Sequence, residues 1–364
     1  MFKIVKKPEL PTLSALMLRL LAVLVALLCA MLILALIGYN PWEIYAKIVE
    51  GALGSSYRWQ GTINKAIPLI ILSLGIAVAF RMKFWNIGAE GQFYMGAFAA
   101  SCVAFSLPDL PMIMMLPLMF LAGMLGGAAW ALIPGWLKSR YGTSETLVTL
   151  MMNYVALYWI AYLKYGPWKD PLAGGFPQFP RFVEAAILPK ILGIHLGWII
   201  ALVLVILIYI LLNKSKFGFE SAVLGESEST ARYAGINVTK IVILSAMISG
   251  GLCGVAGMIQ ASGVEQSISD QLSGGLGYTA IITTWLARLS PPAIVMVSFF
   301  FAILLQGGSF LQSSMQIPAS LAAVIQGIIL FFVLASEFFI EYKVILRPRR
   351  SVNPVVQPDE EGAR

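Results

Sequence analysis

A polar, glycine-rich stretch separates two apolar runs at residues 84–96, which read FWNIGAEGQFYMG. Asn86, Glu90 and Gln92 place two amides and a carboxylate there, next to Gly88. These groups could hydrogen-bond a passing polar solute, or they could satisfy the backbone groups that a broken helix leaves free. A carboxylate near the lipid core costs at least about 2.5 kcal/mol, so Glu90 is expected to be paired or to face water.

A second stretch of the same kind, SISDQLSGGLGYTA, occupies residues 267–280. Each stretch follows a long apolar run and precedes a short one. Paired glycine-interrupted segments in two halves of a chain are typical of a translocation path. The residues predicted to belong to such a path are Asn86, Gly88, Glu90, Gln92, Gly275, Gly277, Tyr278 and Thr279. Tyr278 and Thr279 could offer hydroxyl groups to a ligand, and helix packing would explain them equally well.

The composition explains why such polar stretches need a special role. The chain has 364 residues, of which 59% are hydrophobic and 12% charged. A soluble domain has about twice that charged fraction. Continuous rather than alternating apolar runs predict an all-α polytopic membrane protein and exclude a transmembrane barrel. The first run is longer than the core of a signal peptide and lacks a cleavage site, so we expect it to be a retained span.

Ten spans are predicted, with the bounds 16–38, 64–83, 91–107, 111–133, 145–164, 194–213, 240–262, 275–289, 291–308 and 318–340. The spans 91–107 and 275–289 are short enough to be half-helices. Spans two to five and seven to ten form two four-span blocks of opposite orientation, which indicates an inverted repeat.

The basic residues predict the orientation of these spans. With both termini in the cytoplasm, most of the 25 Lys and Arg residues lie on the inside, as the positive-inside rule requires. The net charge of +7 then faces membrane lipid or a cytoplasmic partner rather than nucleic acid. We expect residues 1–350 to form one transmembrane domain and 351–364 a polar disordered tail.

Two outer connections, 39–63 and 165–193, are long enough to receive an external partner or to rest at the membrane interface. The first contains an amphipathic-looking stretch, EIYAKIVEGAL, and the second is rich in Pro, Gly and aromatic residues. Glu265 and Asp270 lie on the same outer side, where they could meet basic residues of a partner or simply sit in water.

The longest cytoplasmic connection, residues 214–240, is longer than a hairpin between two spans requires. It predicts a short helix that ends near Gly235, which can take the left-handed conformation of a helix stop. Its small residues would let another protein approach closely. A helix lying on the bilayer is the alternative, which the loop's acidic residues disfavour. The residues predicted to couple to that partner are Gly225, Glu226, Ala231, Arg232, Tyr233, Ala234 and Gly235.

This connection contains GESESTARYAGINVTK, which resembles the coupling loop of ABC-importer permeases of the branched-chain amino acid and simple-sugar type. The stretch that begins at Phe84, FWNIGAEGQ, resembles the FNIGxEGQ motif of the nucleoside branch of that superfamily. GLGYTAIITTWLARLSPPAIV resembles its G-x-G-[FY]-x-A-I segment, which a helix and a Pro-containing turn follow. The resemblance extends over about residues 15–345. Trp85 replaces the usual phenylalanine, and Thr283, Thr284, Trp285 and Arg288 replace small apolar residues, so the substrate is left open.

The resemblance implies a multi-pass plasma (inner) membrane permease subunit for nucleosides or a related polar solute such as a simple sugar. It further implies three partners: a cytoplasmic ABC ATPase with two nucleotide-binding domains, a second related permease, and an extracytoplasmic substrate-binding lipoprotein. An ion-gradient-driven carrier is the alternative, and Glu90 would be its solitary titrating candidate.

An enzyme is the remaining class, and the sequence argues against it. There is no GxxxxGK[ST] phosphate loop, so ATP must be hydrolysed by another chain. Cys29, Cys102 and Cys253 lie far apart within predicted spans and read as apolar packing residues. His195 is the single histidine, so no Ser/His/Asp set is available, and we expect no metal site and no cofactor.

Overall fold

The computed structural model describes residues 2–6, 12–318 and 320–346. The predicted tail, 351–364, lies outside the described residues. The described residues are mostly helical, as the apolar runs predict, and their short strands form two antiparallel pairs, one a hairpin and one between segments near the two ends of the chain.

The helices are α1 Thr12–Ile37, α2 Pro41–Leu53, α3 Ser56–Phe80, α4 Ala89–Ser106, α5 Met112–Tyr141, α6 Glu145–Tyr165, α7 Gly197–Lys214, α8 Lys216–Glu226, α9 Glu228–Tyr233, α10 Val238–Gln260, α11 Leu276–Leu286, α12 Pro291–Met315 and α13 Ser320–Glu341. The strands are β1 Phe2–Lys6, β2 Lys190–Ile191, β3 Ile194–His195 and β4 Tyr342–Leu346. A 3₁₀ turn at Glu184–Ala186 and a π-helical turn at Ala261–Glu265 complete the regular elements of the described residues.

Each predicted span coincides with a helix. Among the described residues, six helices are long and apolar enough to cross a membrane, namely α3, α5, α6, α7, α10 and α12, and α1 with α2 would add a seventh. α11 has 11 residues and rises only about 17 Å, which is too short to cross a core of about 30 Å. The membrane protein is therefore helical and polytopic.

The chain separates into two compact units. One includes the described residues up to Pro41 and those from Val324 to Leu346. Within it β1 pairs with β4 as antiparallel strands, from Phe2 opposite Leu346 to Lys6 opposite Tyr342. The other runs from Trp42 to Ala323 and contains both glycine-rich stretches.

The centre of the larger unit is a glycine seam, which consists of Gly250, Gly254 and Gly257 on α10. A Cβ at Gly254 would stand 2.1 Å from the carbonyl oxygen of Gly123 on α5, and a Cβ at Gly257 would stand 2.0 Å from that of Phe93 on α4. Backbones approach this closely only where no side chain intervenes, as in many membrane helix pairs. The seam therefore holds α4, α5 and α10 together backbone to backbone.

Two connections differ from the sequence prediction. The outer connection 39–63 is largely helical: its amphipathic stretch forms α2, and α3 begins at Ser56 because the Ser55 hydroxyl caps it by accepting from Arg58 N–H at 3.3 Å. The cytoplasmic connection contains two helices rather than one. Ser227 takes an extended conformation (φ −159°), ends α8 and caps α9 by accepting from Thr230 N–H at 3.3 Å.

Candidate functional site

The first break, residues 81–88, separates α3 from α4 and carries the amides noted in the sequence. Asn86 is fully buried. Its amide nitrogen donates to Gln92 Oε1 and to Ser249 Oγ on α10, both at 2.9 Å. Its Oδ1 accepts from Gly88 N–H and from Gln92 Nε2, both at 3.0 Å. Every hydrogen-bonding position of the Asn86 side chain is thus used to hold the break in shape.

Helix α6 supports the same break from the opposite side. Asn153 Oδ1 accepts from Gly91 N–H at 2.8 Å, and its amide nitrogen donates to the Ile87 carbonyl at 2.9 Å. Thr149, one turn earlier on α6, accepts from Ile87 N–H at 3.2 Å. These bonds satisfy the backbone of Ile87, between the two helices, and the N–H of Gly91 in the first turn of α4, which has no intrahelical partner. A Cβ at Gly88 would stand 2.9 Å from Thr149 Cβ, so the break fits closely against α6.

The second break, residues 261–275, separates α10 from α11. It begins with the π-helical turn, and Gln266, Gly274 and Gly275 take left-handed conformations with φ of 54°, 55° and 83°. Gly274 and Gly275 adopt these angles at little cost because they have no Cβ. The second break is therefore built from backbone turns rather than from a side-chain amide network.

The Glu90 carboxylate joins the two breaks. It accepts from Ser273 Oγ and, at 2.8 Å, from Gly277 N–H in the first turn of α11. A Cβ at Gly277 would come within 2.5 Å of Glu90 Oε2. A carboxylate at a helix N-terminus pairs with the positive end of the helix dipole. The first turns of α4 and α11 therefore meet at one buried carboxylate, which satisfies the expectation that Glu90 is paired.

Tyr94 extends this junction toward the outer connection 165–193. Its hydroxyl donates to the Asp270 carbonyl at 2.9 Å and accepts from Ser273 N–H at 3.3 Å. The Asp270 carboxylate in turn forms an ion pair with Lys164 at the end of α6, at 3.0 Å. The Lys164 and Asp270 side chains line a cleft of about 620 Å³ between the outer connection and the second break.

Backbone and side-chain bonds tie the second break to the same connection. Ser267 Oγ donates to the Pro180 carbonyl at 2.9 Å, and Phe182 N–H donates to the Gln266 carbonyl at 2.9 Å. These contacts bind the second break to residues 180–182 of the connection 165–193.

His195 on β3 packs against the π-helical turn, where a Cβ at Gly263 would stand 2.7 Å from the ring. Burial, with the charge of Lys190, lowers the pKa of His195 to about 4. The imidazole is therefore neutral at pH 7, and its Nδ1 accepts from Gly197 N–H at 3.2 Å. The contacts identify the side chain as part of the support of the second break.

Two tryptophans, one in the first break and one on α11, stack on each other. The rings of Trp85, in the first break, and Trp285, on α11, have centroids 5.4 Å apart and planes inclined by 13°. Phe80 packs against both. Thr283 and Thr284 are buried and bond to Ser73 of α3.

The two remaining candidates for the path, Tyr278 and Thr279, make fewer hydrogen bonds to other elements. Tyr278 is half-exposed, and Asn153 Nδ2 reaches its hydroxyl at 3.4 Å. Thr279 is buried and donates to the Gly275 carbonyl at 3.3 Å, within its own helix. Glu90, Gly277 and Tyr278 therefore lie close together at the start of α11.

The coupling candidates divide into an exposed and a buried group. Glu226, Arg232, Tyr233, Ala234 and Gly235 are exposed. Gly225 and Ala231 are buried within the chain, so neither presents a surface to another protein. A Cβ at Gly225 would stand 2.4 Å from the Arg81 carbonyl, so α8 packs directly on the start of the first break.

Gly235 ends α9 as the sequence predicts. It takes a left-handed conformation (φ 75°) and donates to the Arg232 carbonyl, while Ile236 N–H donates to the Ala231 carbonyl, both at 3.0 Å. This pair of bonds is the Schellman motif of a helix end. Nothing lies within 4 Å of the position of a Cβ at Gly235, so this turn faces open space.

Sequence reasoning missed several residues that build the site: Thr149, Asn153, Ser249, Ser273 and Tyr94. A signal existed for the first two, because polar residues four apart in an apolar helix mark one face. Within the described residues, no group of three or more His, Cys, Asp or Glu side chains could hold a metal ion.

Comparison with known proteins gives a consistent result. A family model described as branched-chain amino acid transport system, permease component, matches residues 60–334. The glucose ABC transporter permease protein TsgB13 of Haloferax volcanii is 32% identical, over 89% of this chain and 88% of that protein. The nucleoside ABC transporter permease protein NupB of Lactococcus lactis is 30% identical over 88% and 91% of the two chains. The guanosine ABC transporter permease protein NupP of Bacillus subtilis is 30% identical over 91% and 96%.

Proposed function

The chain belongs to the family of permease components of the branched-chain amino acid transport system, and we propose that its two breaks form the moving part of a translocation path. It is a multi-pass plasma membrane protein, the membrane permease subunit of an ABC importer for nucleosides or sugars. The relatives are transport permeases and not enzymes.

The observation that carries the proposal is the junction at Glu90. Two helices that start inside the protein, α4 and α11, meet there through one carboxylate. Such a junction can separate without unfolding either helix, because the Glu90 bonds to Ser273 and Gly277 lie outside the hydrogen-bond ladders of both helices. We assign Asn86, Gly88 and Gln92 to the fixed side of the path, and Gly275, Gly277, Tyr278 and Thr279 to the side that moves.

For the arrangement in the membrane, we propose ten membrane-embedded helices in an inverted repeat, with α4 and α11 as half-helices and both termini in the cytoplasm. The positive-inside distribution supports this orientation. The antiparallel pairing of β1 with β4 supports one part of it, the placement of both termini on the same side of the membrane. Residues 1–350 then form the transmembrane permease domain, with the connection 214–240 at the cytoplasmic surface.

The partners follow from this arrangement. A cytoplasmic ABC ATPase with two nucleotide-binding domains would dock on α9, a second related permease would complete the path, and a substrate-binding lipoprotein would dock on the outer connection 165–193. Lipid surrounds the spans, and nucleic acid has no part. Glu265 and Asp270 border the outer cleft, where basic residues of the lipoprotein could reach them.

The contact of α8 with the first break supplies a route for coupling. The Tyr233 side chain, almost fully exposed, gives the ATPase an aromatic anchor, and Glu226, Arg232, Ala234 and Gly235 surround it. Gly225 lies against the Arg81 carbonyl, so a push on α8 acts directly on the backbone of the first break. ATP binding in the partner would thereby reach the Glu90 junction.

Gly235→Trp tests this coupling. The indole would fill the open space at the end of α9 and prevent close docking, so we expect normal membrane insertion but loss of ATP-dependent uptake and of ATPase co-purification. Gly142→Trp is the matched control, since Gly142 also ends a helix with a left-handed conformation (φ 65°) in open space. It carries the same backbone strain and should keep uptake.

Two results would contradict the proposal. Full uptake by Gly235→Trp would mean that α9 is not the docking site. Uptake that continues after ATP depletion and follows an ion gradient would favour the secondary carrier over the coupled importer.

A further inference from the structure

One ion pair of the site lies at the end of a chain of contacts that starts at Glu90. Lys164 Nζ donates to both carboxylate oxygens of Asp270 at 3.0 Å. The Asp270 carbonyl accepts from the Tyr94 hydroxyl, whose oxygen also accepts from Ser273 N–H. Ser273 Oγ in turn donates to Glu90. The Lys164–Asp270 pair, which we call the outer ion pair, is therefore connected to the Glu90 junction through Tyr94 and Ser273.

The members of this chain of contacts differ in their access to the outside. Glu90, Tyr94 and Ser273 are 3%, 1% and 3% exposed, so they are closed to an external group. The side chains of Lys164 and Asp270 are 19% and 35% exposed. Both line the cleft of about 620 Å³, which is large enough to receive side chains of a docked protein. The outer ion pair is therefore the point at which an external partner can act on this chain of contacts.

The outer ion pair fastens the second break to α6. Lys164 lies in the last turn of α6, the helix that also supports the first break through Asn153. Asp270 lies in the second break, between the π-helical turn and α11. Loss of the pair frees this part of the break from α6 while the buried bonds remain. A partly exposed ion pair is weak and is screened by salt, so a competing charge can displace it.

The charges of the cleft favour one sign for the competing group. Its lining includes three acidic side chains, Asp170, Glu265 and Asp270, and two basic ones, Lys164 and Arg181. This lining has one more negative than positive charge, so it attracts a cation. An arginine side chain can form two parallel hydrogen bonds with a single carboxylate, which a lysine such as Lys164 does less well. A basic side chain of a docked protein, arginine above all, therefore fits the cleft.

We propose that the outer ion pair is a lock on the second break, and that the substrate-binding lipoprotein opens it when one of its basic side chains enters the cleft and takes Asp270 from Lys164. The inference rests on the proposed function, which places the lipoprotein on the connection 165–193. It adds the pair of residues through which docking acts on the Glu90 junction and on the ATPase. Without the lipoprotein the lock stays closed, and ATP is not hydrolysed in the absence of delivered solute.

ATP hydrolysis by the complete transporter, with both permeases and the ATPase in lipid nanodiscs, tests the lock. Asp270→Asn and Lys164→Met each break the ion pair, and Asp270→Asn keeps the carbonyl that Tyr94 contacts. Without lipoprotein, each variant should hydrolyse ATP about fivefold faster than the wild type, the factor that corresponds to loss of one ion pair at the upper end of the surface range. The charge-swapped variant, Lys164→Asp with Asp270→Lys, restores a pair and should return the rate close to that of the wild type.

Glu50→Gln is the matched control. Glu50 pairs with Lys47 at 2.9 Å and with Arg58 at 3.1 Å, and its side chain is 45% exposed. The variant weakens an ion pair of the outer connection 39–63 and leaves the lining of the cleft intact, so hydrolysis without lipoprotein should stay at the wild-type rate. An unchanged or lower rate for both Asp270→Asn and Lys164→Met would overturn the lock. So would a charge-swapped variant as fast as the single variants.

Binding of the lipoprotein tests the sign of the competing group. Lys164→Met leaves Asp270 free for the incoming basic side chain, so the affinity of the transporter for the lipoprotein should rise about fivefold. Asp270→Lys removes the acceptor and adds a like charge, so the affinity should fall about tenfold or more. Titration of fluorescently labelled lipoprotein onto the nanodiscs measures both. Weaker binding to Lys164→Met, or unchanged binding to Asp270→Lys, would mean that no basic side chain takes Asp270.

Failure of the lock and failure of the proposed function give different results. If uptake of guanosine or glucose by the wild type requires both ATP and the lipoprotein, but Asp270→Asn and Lys164→Met hydrolyse ATP at the wild-type rate, the lock fails while the importer function stands. If the wild type takes up neither solute in an ATP-dependent manner, the proposed function itself fails.

Discussion

Each of the two breaks separates a pair of helices, but different groups hold the two breaks in shape. The first is held by amide and hydroxyl side chains, with Asn86 at their centre and with donors or acceptors on α6 and α10. The second is held by left-handed backbone turns and by bonds to the outer connection at Pro180. The difference supports the proposal that the second break moves: a buried amide network resists change, whereas a backbone segment tied to the connection 165–193 can follow that connection.

The strongest test of this comparison removes the group that both breaks share. Glu90→Ala leaves Gly277 N–H and the Ser273 hydroxyl buried without a partner, at about 1–3 kcal/mol each. We expect loss of uptake by more than a hundredfold and a clear fall in thermal midpoint in detergent. Glu90→Gln keeps an acceptor for Gly277 and a donor for Ser273, and it should retain both properties within a few-fold.

Comparison of these two variants shows whether Glu90 acts through its hydrogen bonds or through its negative charge. If Glu90→Gln is as inactive as Glu90→Ala while its thermal midpoint is normal, the negative charge is required and the junction is more than a mechanical joint. Normal uptake by Glu90→Ala would remove the junction from the path.

A smaller effect is expected inside the first break. Asn86→Ala deprives Gly88 N–H, Gln92 and Ser249 of their partner, and we expect a loss of about 2–4 kcal/mol in stability with a parallel loss of uptake. Asn213→Ala is the matched control, because Asn213 is exposed and makes one bond to the Tyr209 carbonyl. If both variants melt at the same temperature, the amide network does not brace the break.

The smallest effect belongs to the second break. Ser267→Ala removes one hydrogen bond to the Pro180 carbonyl, which contributes about 1 kcal/mol. We expect a small change in thermal midpoint but a measurable change in uptake, because the bond transmits movement of the outer connection. Ser139→Ala removes an exposed bond within a helix and serves as control. A stability loss for Ser267→Ala as large as that for Asn86→Ala would erase the contrast between the two breaks.

Local sequence patterns were sufficient for the helices and for the existence of both breaks. Apolar runs of span length and glycine-rich interruptions act within a few residues, so the segments around Glu90 and Gly277 could be recognised without a structure. The left-handed turn at Gly235 was predictable for the same reason, since it depends on one residue and its neighbours.

The partners across the chain could not be predicted in this way. Asn86 bonds to Ser249, and Trp85 stacks on Trp285, yet no local pattern connects positions so far apart. The division of the cytoplasmic connection into α8 and α9 was missed because a single serine, Ser227, both ends one helix and starts the next. The burial of Gly225 and Ala231 also depends on packing that the loop sequence does not contain.

The glycine seam of α10 has a kinematic consequence. With Gly254 and Gly257 in backbone contact with α5 and α4, these three helices have no side-chain layer in which to slide or tilt against one another. We expect them to move as one rigid body if the subunit changes conformation. Since α4 carries Glu90 and α10 leads into the second break, the proposed movement is then confined to α11 and to the segment that precedes it.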